Sequence, residues 1–229
     1  MLNKQGKGKI EWTDYTWNPI KGRCKQGCDY CYMQRFYKRF KHDETVRLDE
    51  KTLNCKMPKK PSKIFVCSNH DLFGNWIPKN WILKIFNVIL SNPNHIFQLL
   101  TKNPKRIEEF VIPENCWIGV TVESQNNIDR LGEIFRINPP NKLFISFEPL
   151  LSKIDVNLIT FDWIIIGANS NRGAEKPPKI WASKLIAEAR KWKIPIWVKD
   201  NYGYPKRIKE SPKEENTHFA CSVKSEVEE

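Results

Sequence analysis

Residues 96–123 read IFQLLTKNPKRIEEFVIPENCWIGVTVE, and the order of residue types along them decides the fold class. The apolar run at 96–100 and the aromatic and β-branched run at 117–122 each predict a strand. Between them Pro104 suits the first turn of a helix, where its missing N–H is not needed, and 105–110 predicts that helix. Two strands with a helix between them are the unit of a parallel sheet, because parallel neighbours need a crossover connection.

The same rhythm extends both ways from this stretch. Strands are expected at 64–67, 143–147, 163–166 and 196–198, with an earlier short one at 15–17. Helices are expected at 32–40, 79–90, 126–137 and 181–192. Pro58 and Pro61, Pro139 and Pro140, and Pro177 and Pro178 fall at boundaries and punctuate one domain. Seven strands with mostly helical returns predict an α/β fold: a partial or near-complete TIM-like (β/α) barrel of about six to seven parallel strands, in preference to a flat Rossmann sheet. The domain is expected to span 1–209. The polar segment 41–60 reads as an exposed excursion, and 210–229 as an acidic, mobile tail.

With 229 residues, 40% of them hydrophobic, the chain can bury one sizeable core. Its formal charge of +12 suits a polyanionic partner such as DNA or RNA, or serves solubility alone. The most apolar stretch, 81–90, is interrupted by Lys84 and Asn87 and falls well short of the ~20 residues a membrane span needs. Seven cysteines, with Cys55, Cys67, Cys116 and Cys221 scattered, do not make a disulfide framework. A cytoplasmic monomer with no membrane segment is expected.

The remaining cysteines, Cys24, Cys28 and Cys31, stand in a Cx3Cx2C pattern on one short loop. Soft thiolates select iron–sulfur clusters or zinc over hard cations. A structural zinc site takes four closed ligands, usually as two separated pairs. His42 and Cys55 could each be a fourth ligand, but neither has a partner at ligand spacing. Three thiolates can instead hold three irons of a 4Fe-4S cluster, leaving the fourth open to the amino and carboxylate groups of S-adenosylmethionine. Gly22 and Gly27 allow the tight turns that wrapping a cluster requires.

The cysteine pattern with Tyr32 directly after it, on a loop near the start of an α/β barrel, resembles the radical S-adenosylmethionine superfamily. A sharper similarity is to a phage- and prokaryote-encoded branch that opens with W-T-x-x-T-W-N-P and G-C-x-x-C-Y. Both stand here, from Trp12 to Pro19 and from Gly27 to Tyr32. SNHDLF at 68–73, LTKNP at 100–104, GVTVE at 119–123 and SFEPL at 146–150 continue it, so the similarity runs from Ile10 to about Gly203. Two places depart from the branch: Gly167-Ala168-Asn169 where Gly-Gly-Glu is usual, and Lys199-Asp200-Asn201-Tyr202-Gly203 in place of a Lys-Gln-Trp-Gly-like ending. Both fall where substrate is expected.

The resemblance implies an enzyme in which a reduced 4Fe-4S cluster held by Cys24, Cys28 and Cys31 cleaves S-adenosylmethionine to a 5′-deoxyadenosyl radical. That radical then takes hydrogen from a substrate. An external one-electron reductant of the flavodoxin or ferredoxin type is implied as partner. Strand-end residues are the site candidates, since barrel enzymes place reactive groups there. Lys102 matches a Thr-Lys pair of the spore photoproduct lyase group and is expected at the S-adenosylmethionine carboxylate, with a structural ion pair as the competing role. Ser68, Thr121 and Glu123 are candidates for ribose hydroxyls or the methionine amine. Tyr32 resembles an aromatic packing near adenine, and Glu148 and Lys199 are substrate-side candidates. Cys67 and Cys116 could donate hydrogen atoms or be inert small hydrophobes. Trp12 and Trp17 could shield the cluster or simply pack.

The charge and the Thr-Lys likeness lean toward nucleic-acid repair or modification. Another class fits the same residues: a zinc- or cluster-bearing nucleic-acid-binding protein without catalysis. The aromatic–basic interleaving of 32–40 supports it, though that stretch also fits an amphipathic helix packing its aromatics inward.

Overall fold

Alternation of apolar side chains builds the framework, and the computed structural model describes it for residues 1–135 and 141–213. In chain order come β1 (Leu2–Lys4), β2 (Tyr15–Trp17), β3 (Ile20–Lys21), α1 (Tyr32–Phe40), β4 (Arg47–Leu48), α2 (Glu50–Leu53) and β5 (Lys63–Val66). Then follow α3 (Lys79–Leu90), β6 (Ile96–Thr101), β7 (Cys116–Thr121), α4 (Asp129–Phe135), β8 (Leu143–Phe147), β9 (Trp163–Ile166), α5 (Lys179–Lys191) and β10 (Ile196–Val198). The seven strands from β2 through β5 to β10 lie parallel, side by side, in the order of the chain. β1 adds to β2 as an antiparallel edge. A doubly wound sheet would reverse its order partway. This one does not reverse, and it is not closed: β1 and β10 are its two ends.

The two faces separate by the strand period of two. Ile64, Val66, Phe97, Leu99, Ile118, Val120, Ile145 and Phe147 belong to the larger core cluster, which also takes in Ile82, Ile85, Phe86 and Ile89 of α3 and Leu185 of α5. On the opposite face Phe65, Trp117, Phe144 and Trp163 close around Trp12. Trp12 lies 4.8 Å from Phe65 and 5.9 Å from Trp163 between ring centroids. Trp12 and Trp17, expected as shields or as packing, are therefore both core residues, on opposite faces of the sheet.

Several expectations shift. The helix at 105–110 is a 3-10 turn over Pro104–Glu109, where the buried Arg106 guanidinium donates to the carbonyls of Gly74 and Ile77. A 3-10 turn over Gln125–Asn127 precedes α4, which begins at Asp129. Cys67 is not a strand residue: it sits at φ 55° and turns the chain out of β5. The segment 41–60 is no mere excursion, because β4 pairs with β3 and α2 buries Thr52 and Leu53. Asp49 caps α2 by accepting from Thr52 N at 2.7 Å, and Trp17 Nε1 donates to the Thr52 carbonyl at 2.9 Å. Glu210, expected as the first tail residue, is held by the two terminal guanidinium nitrogens of Arg190 and by Ile196 N. Pro139, Pro140, Cys221 and 214–229 lie outside the described residues, as do the last two positions of the helix expected at 126–137. Among the described residues no helix is long and apolar enough to cross a membrane.

On the face that carries Trp12, side chains shrink toward the carboxyl end of the strands: Trp117 is followed by Gly119 and Thr121, and Phe144 by Ser146. A Cβ on Gly119 would meet the Phe144 ring at 2.3 Å, and Phe144 is 1% exposed. Gly119→Ala is expected to overpack this floor and cost about 1–3 kcal/mol. A lower urea midpoint at unchanged slope is the predicted result, and a wild-type midpoint would show that Phe144 has room to move.

Candidate functional site

The cysteine loop joins β3 to α1 at the carboxyl edge of the parallel strands. It needs glycine twice: Gly22 at φ 93° and Gly27 at φ 71°. A Cβ on Gly22 would stand 2.2 Å from the Thr45 carbonyl oxygen, so the chain passes too close there for any side chain. Cys31 is the N-cap residue of α1, and Gln34 Nε2 returns to donate to the Cys28 carbonyl at 2.8 Å. The Tyr37 hydroxyl donates to the Gly22 carbonyl. The loop is thus tied to its own following helix.

Across from it stands Glu123, just past β7. Ladder bonding continues beyond the assigned strand, with Val122 N donating to Ser146 O at 3.0 Å, so the alternation of faces carries Thr121 and Glu123 onto the side of Trp117. Glu123 accepts from the Tyr30 hydroxyl and from Arg130 NH1 at 2.6 Å, and Lys102 Nζ lies 3.6 Å away. The same ammonium sits 5.8 Å from the Tyr30 ring centroid. Burial pushes the Glu123 carboxyl up, but Lys102, the Tyr30 hydroxyl and Arg130 outweigh it and hold it below the ordinary glutamate range. Burial and the hydrogen bond to Glu123 push the Tyr30 phenol far up, keeping it protonated.

Burial raises the thiols of Cys24 and Cys28. At Cys24 this is countered by backbone hydrogen bonds from Gln26 and Asp71, and at Cys28 chiefly by the Lys102 charge. Cys28 interacts with both other cysteines, yet among the described residues no three His, Cys, Asp or Glu side chains converge as a metal-holding group. The chemistry of the donor set still fits a soft metal. It offers three sulfurs on one glycine-hinged loop, and the Lys102 charge beside Cys28 offsets part of the burial that favours the thiol form.

The other expected residues fall around the same edge. Ser68 donates to Asn18 Oδ1 at 3.1 Å, joining the two motifs at 12–19 and 68–73. Thr121 is buried, and its carbonyl accepts from Arg130 at 2.8 Å. Glu148 and Lys199 form an ion pair across β9, above Gly167, where a Cβ would lie 2.9 Å from the Glu148 side chain. Tyr32 begins α1 45% exposed, and burial and the charges of Cys31 and Glu148 raise its phenol. It is Tyr30, passed over in the sequence, that meets Lys102, Glu123 and Cys28. Arg130 was also missed, and so was Asn171, whose Nδ2 donates to the Tyr30 carbonyl at 2.8 Å. Only the position of Tyr30 between two cysteines could have flagged any of the three.

The two departures from the branch pattern prove to be one feature. Asn201 Nδ2 donates to the Ala168 carbonyl at 2.7 Å and to Ser170 Oγ at 3.2 Å, while Ala168 N donates to Asn201 Oδ1 at 3.3 Å. Cys67 and Cys116 are packed away in the larger core, and burial lifts the Cys67 thiol to about 12. Both are inert small hydrophobes in this setting.

A family model described as Protein of unknown function (DUF5131) matches residues 7–226. The chain belongs to that family. The DUF5131 match takes in the cysteine loop, the Glu123 cluster and the Glu148–Lys199 pair together. No curated protein and no solved structure gives a significant match.

Because the folded Glu123 pKa is depressed, its stabilising contribution is present above the ordinary value of about 4.3 and is lost as pH falls through the lower folded value. Glu123→Gln is expected to cost roughly 1–3 kcal/mol at neutral pH, by leaving Lys102 and Arg130 without their counter-charge. The loss should shrink on acidification. Equal loss at every pH in urea titrations would assign the effect to shape instead of charge.

Proposed function

We propose that this protein is a radical S-adenosylmethionine enzyme built on a partial (β/α) barrel. The observation that carries the reading is the three-cysteine loop set against Lys102 at the carboxyl ends of successive parallel strands. Cys24, Cys28 and Cys31 would hold a 4Fe-4S cluster with one iron free of protein ligands. Bound there, the cluster and S-adenosylmethionine supply one-electron reductive cleavage of a carbon–sulfur bond and hydrogen abstraction from substrate.

The chain's own residues prepare the site for that chemistry. Lys102 presents its ammonium beside Cys28, where a ligand carboxylate would compete with Glu123 for it. Tyr30 offers an aromatic face and holds its proton, so it orients neighbours without moving charge. Glu123 and Arg130 balance the local charge, and Ser68 and Thr121 line the same edge. Phe65, Trp117, Phe144 and Trp163 close the opposite end against water, as radical chemistry requires. Glu148 and Lys199 stand as a charged pair on the substrate side, and Tyr32 lies between them and the loop. Electrons would come from an external one-electron carrier of the flavodoxin or ferredoxin type.

Anaerobic reconstitution with iron and sulfide is expected to give brown protein with about four irons per chain. With a strong reductant it should form 5′-deoxyadenosine from S-adenosylmethionine. Cys28→Ala should lose both properties. Full iron retention in that variant, or colourless wild-type protein carrying stoichiometric zinc, would remove this reading in favour of a zinc-bearing binding protein.

A further inference from the structure

Where the sheet fails to close, the chain forms a cleft of about 710 Å³. One wall is the loop after β1, with Gly6, Lys7 and Glu11, and the other is the end of β10 and the segment that follows it. The cleft therefore occupies the seam between the two ends of the sheet. Five cations line it, Lys7, Lys199, Lys206, Arg207 and Lys209, against two carboxylates, Glu11 and Asp200.

Lys199 is paired with Glu148, and the other charges divide into two sets. Lys209 is internal: its side chain is 12% exposed, it bonds Glu11 at 3.2 Å and Asp200 at 2.7 Å, and it lies 5.1 Å from the Trp197 ring centroid. It consumes both carboxylates of the lining. Lys7, Lys206 and Arg207 are exposed and make no ion pair among the described residues. Three outward cations remain on a concave surface; Arg207 and Lys7 feel the Asp200 carboxylate and Lys206 that of Glu210, but none is bonded to them. Tyr204, partly buried in the same wall, adds an aromatic ring anchored through its hydroxyl to Ser183 Oγ at 3.1 Å.

We propose that this seam binds a single-stranded nucleic acid, with its phosphates on Lys7, Lys206 and Arg207 and a base against Tyr204. Cations that track a backbone beside a ring that stacks bases are the usual composition of such sites. A duplex would instead call for an element projecting into one of its grooves, whereas this surface is recessed. Lys199 belongs both to the cleft and to the ion pair with Glu148, so a strand in the seam lies beside the proposed substrate side of the mouth. An opening in the side of the sheet admits a chain that a closed barrel would not. The link from binding to chemistry rests on the radical reading; the binding itself does not.

The test is fluorescence polarisation of the full-length protein with a labelled oligothymidylate of about 16 residues, without reductant or S-adenosylmethionine. Binding at low salt is expected, with affinity falling as salt rises. The K206E/R207E double variant should bind at least tenfold more weakly, and its salt slope should be shallower by about 1.4, the value for two phosphate contacts on a single strand. Tyr204→Ala should weaken binding at an unchanged slope. The control K59E/K60E makes the same change in net charge at exposed residues outside the cleft and should bind as wild type. No binding at low salt, equal loss in the control, or displacement by polyglutamate as effective per charge as by oligonucleotide would each overturn the proposal. Loss of 5′-deoxyadenosine formation with intact binding would instead count against the reaction alone.

Discussion

A carboxylate removed from water is costly unless cations and hydroxyl groups replace its solvent, and Glu123 is only 5% exposed. Its replacements come from separate parts of the chain: Tyr30 from the cysteine loop, Lys102 from the end of β6 and Arg130 from α4. Satisfying this one group therefore pins the loop against the sheet. Asp71, in the loop after β5, repeats the device two strands over. It is buried and accepts from Thr101 Oγ1 at 2.6 Å, Lys102 N at 2.8 Å and Phe73 N at 3.0 Å, while its own backbone supports Cys24. Lys102 is thereby held twice, its backbone by Asp71 and its ammonium by Glu123. Holding a charge in place before any ligand arrives is what makes such a site effective, because the ordering cost falls on folding and not on binding.

The second constraint is the taper of the sheet face that carries Trp12. Bulky rings crowd the amino end, and Gly119, Ser146 and Gly167 follow toward the carboxyl end. Without those small residues the Phe144 ring could not lie across β7, and Glu148 could not reach Lys199 over β9. Charges are thus gathered above an apolar floor, where the lower local dielectric strengthens each pairing. Gln98 extends this polar interior: it is fully buried, and neither atom of its amide group has a hydrogen-bond partner among the described residues.

The parallel strands were legible because each is a compact apolar run whose composition matches burial on both faces. β1 was not, since Leu2-Asn3-Lys4 holds one apolar residue and acquires its structure only by pairing with β2. β3, β4 and α2 are too short to carry a period, and Trp17 rather than any local pattern decides that Thr52 packs inward. At the site, residue types at strand ends were readable and side-chain direction was not. Tyr30 and Tyr32 flank Cys31 symmetrically in the sequence. The start of α1 at Tyr32 breaks that symmetry, leaving Tyr32 half exposed and Tyr30 turned toward Glu123. Arg130 is seven residues beyond Glu123, a helical spacing, but a 3-10 turn lies between them and α4 starts only at Asp129, so the two do not share a helix face.

An unclosed parallel sheet leaves hydrogen-bonding edges that invite association, and both edges here are managed. β10 is covered by the chain itself, with Val198 N donating to Ile208 O at 2.9 Å and Glu210 N to Ile196 O at 2.8 Å. Trp163 Nε1 adds a bond to the Glu210 carbonyl at 2.8 Å, and Arg190 grips the Glu210 carboxylate. The opposite edge is the short antiparallel β1, which ends in Lys4. Covering β10 in this way also explains why β1 does not pair with it to complete a ring: residues 208–210 already occupy the hydrogen bonds a closing strand would need. The open seam is therefore a stable product of the fold, built by the same segment that supplies Arg207 and Lys209 to its wall.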